Sequence, residues 1–437
     1  MQTAVLEGVL EIGSIERLSL DLIRGSHKIT ALLSRIIHTN RVIRTLRISS
    51  LWRPPPGLYS VYDCWVLPLV ENDTLEEVGL PLDVLCSETW SAFFHALPAK
   101  ENLKMVHIFP PHHDPWLNWL CAELERSGSE EKVSLGLLTL WEEAIEVLDC
   151  KAFSGVDLSS AEYDCMLATL VRLPNCLHLK NVDISIETDE MTLCLAMAEF
   201  LRSTSTLEVL ELCVNSVLMH LADQSPGWNV ILESLSQNRS LRRLDVSIYP
   251  MCNQAVQGLA ESVKQNTHIR RIYLQYMPAS NEIAFLRCLS RDVENNYRLT
   301  EVDCSYLLDD CFSDYLAVKA TTWRNSGLVA RAAQIKQASH LDRYVSRAVD
   351  RVSRYPALLD EVARSAKLDQ AELAVLVRDC LSQVRSLHGF MRVAGVVKER
   401  VICHPTDDGR TQLDDLNEDC WSHVRRYLAT DDIEYGV

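Results

Sequence analysis

Glycine and proline are scarce, at 15 of each in 437 residues. A chain so poor in both holds no collagen-like period and no low-complexity tract, so regular secondary structure dominates it. Aromatic residues make up only 7%. No apolar run approaches the ~20 residues that a membrane-spanning helix needs, so no membrane partner is expected. The 15 cysteines, scattered from Cys64 to Cys420, include no Cys-x-x-Cys pair and no metal-ligand spacing. The phosphate loop GxxxxGK[ST], the dinucleotide fingerprint GxGxxG, the nucleophile elbow GxSxG and the zinc-protease HExxH are all missing. His112-His113-Asp114 is the only local group of potential metal ligands, and adjacent histidines in a proline-rich loop are ordinarily exposed side chains. The expectation is a non-enzymatic protein without metal or cofactor.

Basic residues are also in deficit, 43 Lys and Arg against 60 Asp and Glu, for a net charge of −17. An acidic surface repels phosphate backbones, which argues against nucleic acid as a partner. The deficit is confined to one stretch. Residues 311–437 hold 18 basic and 18 acidic side chains, so residues 1–310 carry the whole imbalance, 25 against 42. Met1 to Ser14 has no basic n-region and no sustained apolar core, unlike a signal peptide. Unpaired thiols without an export signal fit a reducing compartment, the cytoplasm or the nucleus.

What is present is ordinary globular composition, 47% apolar and 24% charged, organised as a repeat. The pattern L-x-x-L-x-L, with any aliphatic residue at L, recurs eleven times. It begins at Ile15, Ile43, Leu75, Leu103, Glu130 (a poorer match), Phe153, Leu179, Leu207, Leu241, Ile269 and Leu299, a mean spacing of about 28 residues. The L-x-L part alternates with period two and reads as a short strand buried on one face. Between strands the apolar residues recur with helical period. Ala255, Val256, Leu259, Ala260 and Val263 form the cleanest stripe, and the stretches from Met191 to Ser203 and from Trp228 to Asn238 repeat it. Asn238 and Asn266 punctuate the helix ends just before the next strand, where asparagine is suited to a left-handed C-cap. A lone strand–helix unit cannot bury its apolar face, but a stack of them makes one continuous core.

With its L-x-x-L-x-L strands, a full helix in each repeat and a period near 28, the sequence resembles the leucine-rich repeats of the ribonuclease-inhibitor type, also found at the sensor end of NOD-like receptors. The resemblance covers roughly residues 12–310. It implies an α/β solenoid shaped as a horseshoe, with parallel strands on the concave face and helices on the convex face, and protein binding as the general function. Only 14 residues precede the first strand, and they include Val5, Leu6, Val9, Leu10 and Ile12. The array is therefore expected to start without a polar N-terminal cap.

The residue between the last two aliphatics of each segment faces away from the core. Along the array it is Ser19, Arg47, Gly79, His107, Ser134, Asp157, Asp183, Glu211, Asp245, Tyr273 and Asp303. Parallel strands lie ~4.8 Å apart, so Asp157, Asp183, Glu211, Asp245 and Asp303 form an acidic ladder interrupted by Tyr273. Like charges at that distance repel; Arg243 and Arg271, two positions before Asp245 and Tyr273 on the same face, offset part of the repulsion. Two readings stand. The face is a solvated surface tuned for solubility, or it docks a protein with a basic surface, with Tyr273 as aromatic anchor.

Beyond residue 310 the repeat gives way to helical patterns, read as an all-α module over residues 311–402. Leu341, Tyr344, Val345, Ala348 and Val352 form a stripe, Leu358 to Ala366 a short helix, and Asp369-Gln-Ala-Glu372 a capping-box start. Arg343, Arg347, Arg351 and Arg354 recur at helical spacing, and salt bridges to the acidic repeats are their simplest role. Residues 403–437 hold the polar linker His404 to Arg410 and a terminal helix. That helix resembles the opening of an F-box, roughly L-P-x-E-x-x-x-x-I-x-x-x-L-x-x-x-D-L. Leu416, Val424, Leu428, Asp432 and Ile433 fall in register, Asp419 stands at the acidic position and Asn417 where the family has proline. The resemblance implies that the repeats select a substrate for a cullin–RING ubiquitin ligase, with Leu416, Trp421, Val424 and Leu428 meeting the adaptor. The alternative is an amphipathic helix packing on the module. A further reading, from the repeat resemblance, is an inhibitor that wraps a basic enzyme.

Overall fold

In a segment of period two, alternate aliphatic side chains go to one face and leave the residue between them on the other. A computed structural model places a strand in each of the eleven segments. It describes residues 2–12, 14–20, 23–24, 27–48, 51–52, 63–109, 116–140, 144–187, 190–215, 226–248, 252–304, 309–336, 343–393, 396–397, 400–403, 412–425 and 427–428. His112, His113, Asp114 and the linker His404 to Arg410 lie outside them. The chain divides into two compact units, Met1–Asn215 and Ser216–Val437.

The first unit holds β1 (Arg17–Leu20), β2 (Ile23–Arg24), β3 (Thr45–Ile48), β4 (Leu51–Trp52), β5 (Glu77–Pro81), β6 (Met105–Phe109), β7 (Val133–Ser134), β8 (Gly136–Thr139), β9 (Phe153–Leu158), β10 (Asn181–Glu187) and β11 (Val209–Asn215). Strands β1, β3, β5, β6 and β7 follow one another in a parallel sheet, β8 to β11 in a second parallel run, and β2 pairs with β4. Helices α1 (Gln2–Glu11), α2 (His27–Thr39), α3 (Val66–Glu71), α4 (Ser87–Ala96), α5 (Leu117–Ser127), α6 (Tyr163–Arg172) and α7 (Met191–Ser203) alternate with the strands. The unit buries Trp65, Trp90, Phe93, Phe94 and Phe153.

The second unit continues the alternation with α8 (Pro226–Gln237), β12 (Arg243–Ile248), α9 (Asn253–Gln265), β13 (Arg271–Gln275), α10 (Ala279–Ser290) and β14 (Glu301–Cys304), the last three strands again parallel for β12–β13 and β13–β14. From there its described elements are helical: α11 (Phe312–Ala332), α12 (Arg343–Val352), α13 (Pro356–Ala366), α14 (Gln370–Arg385), α15 (Leu387–Val393) and α16 (Glu418–Arg425). The architecture is mixed α/β with parallel sheets, and fits a leucine-rich-repeat-like fold. The capping box forms as the sequence predicts, Asp369 Oδ1 accepting from the Glu372 N–H at 2.7 Å and the Asp369 N–H donating to Glu372 Oε2 at 3.2 Å.

The asparagines before the strands act otherwise than expected. Asn266 closes α9 with φ −65° and ψ 128°, extended rather than left-handed. Its side chain, fully buried, does the capping. Oδ1 accepts from the N–H groups of His268 (2.7 Å) and Ile269 (2.9 Å), while Nδ2 donates to the carbonyls of Leu235 (2.7 Å) and Asn238 (2.8 Å) one repeat earlier. Asn238 and Asn296 accept in the same way from the amides leading into β12 and β14. Asn40 and Asn72 do so in the first unit. The amide thus satisfies the turn of its own repeat, and where Nδ2 reaches back, as in Asn72 and Asn266, it ties that turn to the preceding repeat.

The poorly matching fifth segment is where the first unit's parallel run breaks. Val133–Ser134 pairs with β6, whereas Gly136–Thr139 pairs with β9 with a register shift between Gly136 and Leu137. Gly136 has φ +74°, a conformation that other residues adopt at a strain. On the next strand, Gly155 sits where the chains approach closely. A Cβ there would collide with the Asn181 carbonyl oxygen and lie 2.6 Å from Asn181 Cβ and 2.7 Å from Leu137 Cδ2. Gly155→Ala is therefore expected to destabilise the first unit by about 1–3 kcal/mol through overpacking, read as a lowered urea midpoint of the full chain.

Candidate functional site

The register assembles the acidic row that the repeat spacing predicts, in two separate pieces. In the first unit Thr139, Asp157, Asp183 and Glu211 stand opposite one another across β8 to β11. Asp157 and Asp183 are half-buried and Glu211 is exposed. Asp157 is held in place by its own turn, with Oδ1 accepting from the Ser159 N–H (2.9 Å) and Oγ (2.6 Å) and the Thr139 hydroxyl 3.4 Å from Oδ2. These donors fix the carboxylate without neutralising it.

In the second unit the row reads Asp245, Tyr273, Asp303, flanked by Arg243, Arg271 and Glu301. Here the expectation of exposed acids needs correction. Asp245 is only 4% exposed. Arg243 grips it with both prongs, Nε to Oδ1 at 2.8 Å and Nη2 to Oδ2 at 2.6 Å, and lays its guanidinium 4.5 Å from the centre of the Tyr273 ring. A bidentate guanidinium–carboxylate pair under an aromatic ring leaves the acid little to offer a ligand. Tyr273 is half-buried, and burial, aided by its hydrogen bond to Glu301, pushes its hydroxyl up to about 12. Asp303 is exposed but lies 3.5 Å from Lys319 Nζ. Arg271 turns to Glu361 of α13, 3.6 Å away.

The expected salt bridge of Arg354 also differs. Arg354 pairs with Asp350 in its own helix at 2.7 Å, and Arg343 donates to the Tyr344 hydroxyl at 2.5 Å. The link between the helices and the strand end of the second unit has the opposite polarity: carboxylates Asp360 and Glu361 of α13 meet Arg242 and Arg271.

The terminal helix turns its predicted adaptor residues inward. Trp421 is 2% exposed, stacks obliquely 5.8 Å from Phe390, and donates from Nε1 to the Arg385 carbonyl at 2.7 Å. Val424 and Leu428 pack against the same small core of Val384, Leu387, Phe390, Val393 and Val401. Leu416 is half-buried just before the helix. Asn417, in place of the proline, caps α16 by accepting the Cys420 N–H at 2.8 Å. Asp432 and Ile433 fall outside the described residues.

All fifteen cysteines are free thiols. Cys194 and Cys288 are buried, as small apolar side chains should be, and Cys121 hydrogen-bonds to Cys150, a contact that with burial pushes the Cys121 thiol up. Among the described residues no group of His, Cys, Asp and Glu could hold a metal ion, and no helix is long and apolar enough to cross a membrane.

One cluster lies off the strand faces, where the period-two pattern does not reach. The dipeptides Arg242-Arg243 and Arg270-Arg271 recur 28 residues apart, so the repeat itself stacks Arg242 beside Arg270. Residues 239–298 hold nine Lys or Arg against five Asp or Glu, a basic island inside the acidic two-thirds of the sequence.

No family model matches the chain, and no curated protein matches it. Among solved structures it is similar to the crystal structure of the leucine-rich repeat-containing protein LegL7 from Legionella pneumophila, at 12% identity over 70% of this chain and 98% of that one, with a TM-score of 0.40.

Proposed function

We propose that this chain is a non-enzymatic protein-binding scaffold of the ribonuclease-inhibitor-like repeat type, working in a reducing compartment such as the cytoplasm. The period near 28 and the helix between successive strands support the repeat type, and the free thiols fit the compartment. The observation that carries the binding reading is the register Asp157–Asp183–Glu211 on three adjacent parallel strands. A rigid sheet presents these carboxylates ~4.8 Å apart, a spacing that suits a basic segment laid across the strands. Burying such a row against cations gives orientation and a fast encounter more than raw affinity.

The test is affinity capture of the tagged full chain in reducing buffer, followed by mass spectrometry. The triple reversal Asp157→Lys, Asp183→Lys, Glu211→Lys is expected to remove a basic-surfaced partner, with binding weaker by on the order of 100-fold. The wild-type complex is expected to weaken as salt rises. Partners recovered equally by the reversed variant would overturn the reading. The same pellet separates the alternatives: a basic enzyme whose turnover is suppressed favours an inhibitor, and an adaptor with a cullin favours the ligase reading. Against the latter stands the inward position of Trp421.

A further inference from the structure

Between the turns before β13 and β14 and the start of α13 lies a cleft of about 860 Å³, wholly within the second unit. Six cations line it, Arg239, Arg242, Lys264, Arg270, Arg291 and Arg298, against two carboxylates, Asp292 and Asp360. Arg242 is matched by Asp360 and Glu361, and Lys264 by Glu261 at 3.3 Å. The other four arginines have no carboxylate within ion-pair distance among the described residues. Arg298 instead donates to the carbonyls of Asn266 and Lys264.

Arg270 is the most telling of them. It is 3% exposed, yet its Nε has no hydrogen-bond partner, and Nη1 reaches only the carbonyls of Thr267 (2.9 Å) and Ile269 (3.4 Å). A buried cation left short of partners is destabilising unless something compensates it. Burial pushes it down to about 10, with the neighbouring Arg242 and Arg298 adding to the fall while Glu361 and Asp360 oppose it. His268, on the same wall, is held below its ordinary value by burial and by Arg270, Arg242 and Arg239. Arg270 and His268 thus both feel the surrounding cations, in a protein whose net charge is −17.

We propose that this cleft binds a soluble, multiply phosphorylated small molecule. Guanidinium forks match phosphate oxygens in pairs, which carboxylates on a peptide would meet with half the charge per group. Four unmatched arginines exceed what one phosphate monoester neutralises. The volume falls within the range of small-molecule sites. The hydroxyl-bearing rings of Tyr297 and Tyr355, stacked 3.8 Å apart, form a stiff side wall and leave the arginine side open.

Isothermal titration calorimetry on the full chain, with tripolyphosphate, ATP and inositol hexakisphosphate as probes, tests the site. The expected result is saturable binding of at least one probe at one site per chain, weakened by salt. Arg239→Ala and Arg291→Ala, both at exposed positions that can be changed without disturbing the core, are each expected to weaken it about tenfold. Arg202→Ala, on the other unit, is expected to leave it unchanged. Absence of saturable binding for all three probes, or affinity unchanged in the Arg239→Ala/Arg291→Ala double variant, would overturn the proposal. So would binding to vesicles bearing phosphorylated inositol lipids without any binding of the free probes.

Discussion

Asn266→Ala is expected to lower the unfolding free energy of the second unit by about 3–5 kcal/mol, counting about 1 kcal/mol for each of four buried hydrogen bonds. The side chain is fully buried and serves two repeats at once, accepting from the amides of His268 and Ile269 and donating to the carbonyls of Leu235 and Asn238. Alanine leaves two N–H groups and weakens two carbonyls in a place water does not reach, and it opens a small void. Asn266→Asp separates the two halves of the effect. The carboxylate still accepts from His268 and Ile269 but faces the carbonyl oxygens of Leu235 and Asn238, so it too is expected to destabilise strongly. Asn175→Ala, at an exposed position, is expected to change stability by less than about 0.5 kcal/mol. Urea denaturation followed by circular dichroism measures all three. Hydrogen exchange adds the location, since the His268 and Ile269 amides are expected to lose protection in Asn266→Ala. A stability change within about 0.5 kcal/mol of wild type would mean that the turn finds other partners and that the asparagines do not couple the repeats.

The same residue shows what was legible in the sequence. Asn238 and Asn266 stood out as punctuation at the correct places, because helical and strand periods meet there. They do not form the left-handed cap that the sequence suggests: the side chain's reach to the previous repeat depends on stacking that one repeat alone does not display. The strands themselves were legible because period two survives in every segment. The break at Val133 to Thr139 was not, since the turn at Gly136 alters direction without altering the count of aliphatic residues. In the acidic row, position along the array predicted the neighbours Asp157–Asp183–Glu211 and Asp245–Tyr273–Asp303. Period two says only which face a residue takes, not what covers that face, so the burial of Asp245 under Arg243 was invisible. The arginine cleft is hidden for a related reason: Arg242 and Arg270 precede their strands, outside the period-two alternation.

Trp421→Ala is expected to cost about 3–5 kcal/mol locally, the usual range for removing a buried aromatic side chain. Trp421 joins Phe390, Leu387, Val384, Val393 and Val401 in a core separate from the one that α11 to α13 form with Leu373, Val377 and Cys380 of α14, and its indole N–H donates to the Arg385 carbonyl. So small a core has few contacts to share the loss, and α16 is expected to detach as a unit while the repeats stay folded. Limited proteolysis within α16 is expected to accelerate sharply in Trp421→Ala, whereas Tyr427→Ala, at a 76% exposed residue, is expected to match wild type. The outcome bears directly on the adaptor reading. If an adaptor is to grip the apolar face of α16, Trp421 must first leave its core, and a penalty of about 3 kcal/mol divides the apparent affinity by roughly 100-fold. A protein that used this helix as a docking handle would keep the handle on the surface. Unchanged proteolysis in Trp421→Ala, together with loss of a captured adaptor, would show that the helix is held loosely enough to serve as one. Faster proteolysis with the captured partners unchanged would assign Trp421 to the core and leave partner selection to the strands.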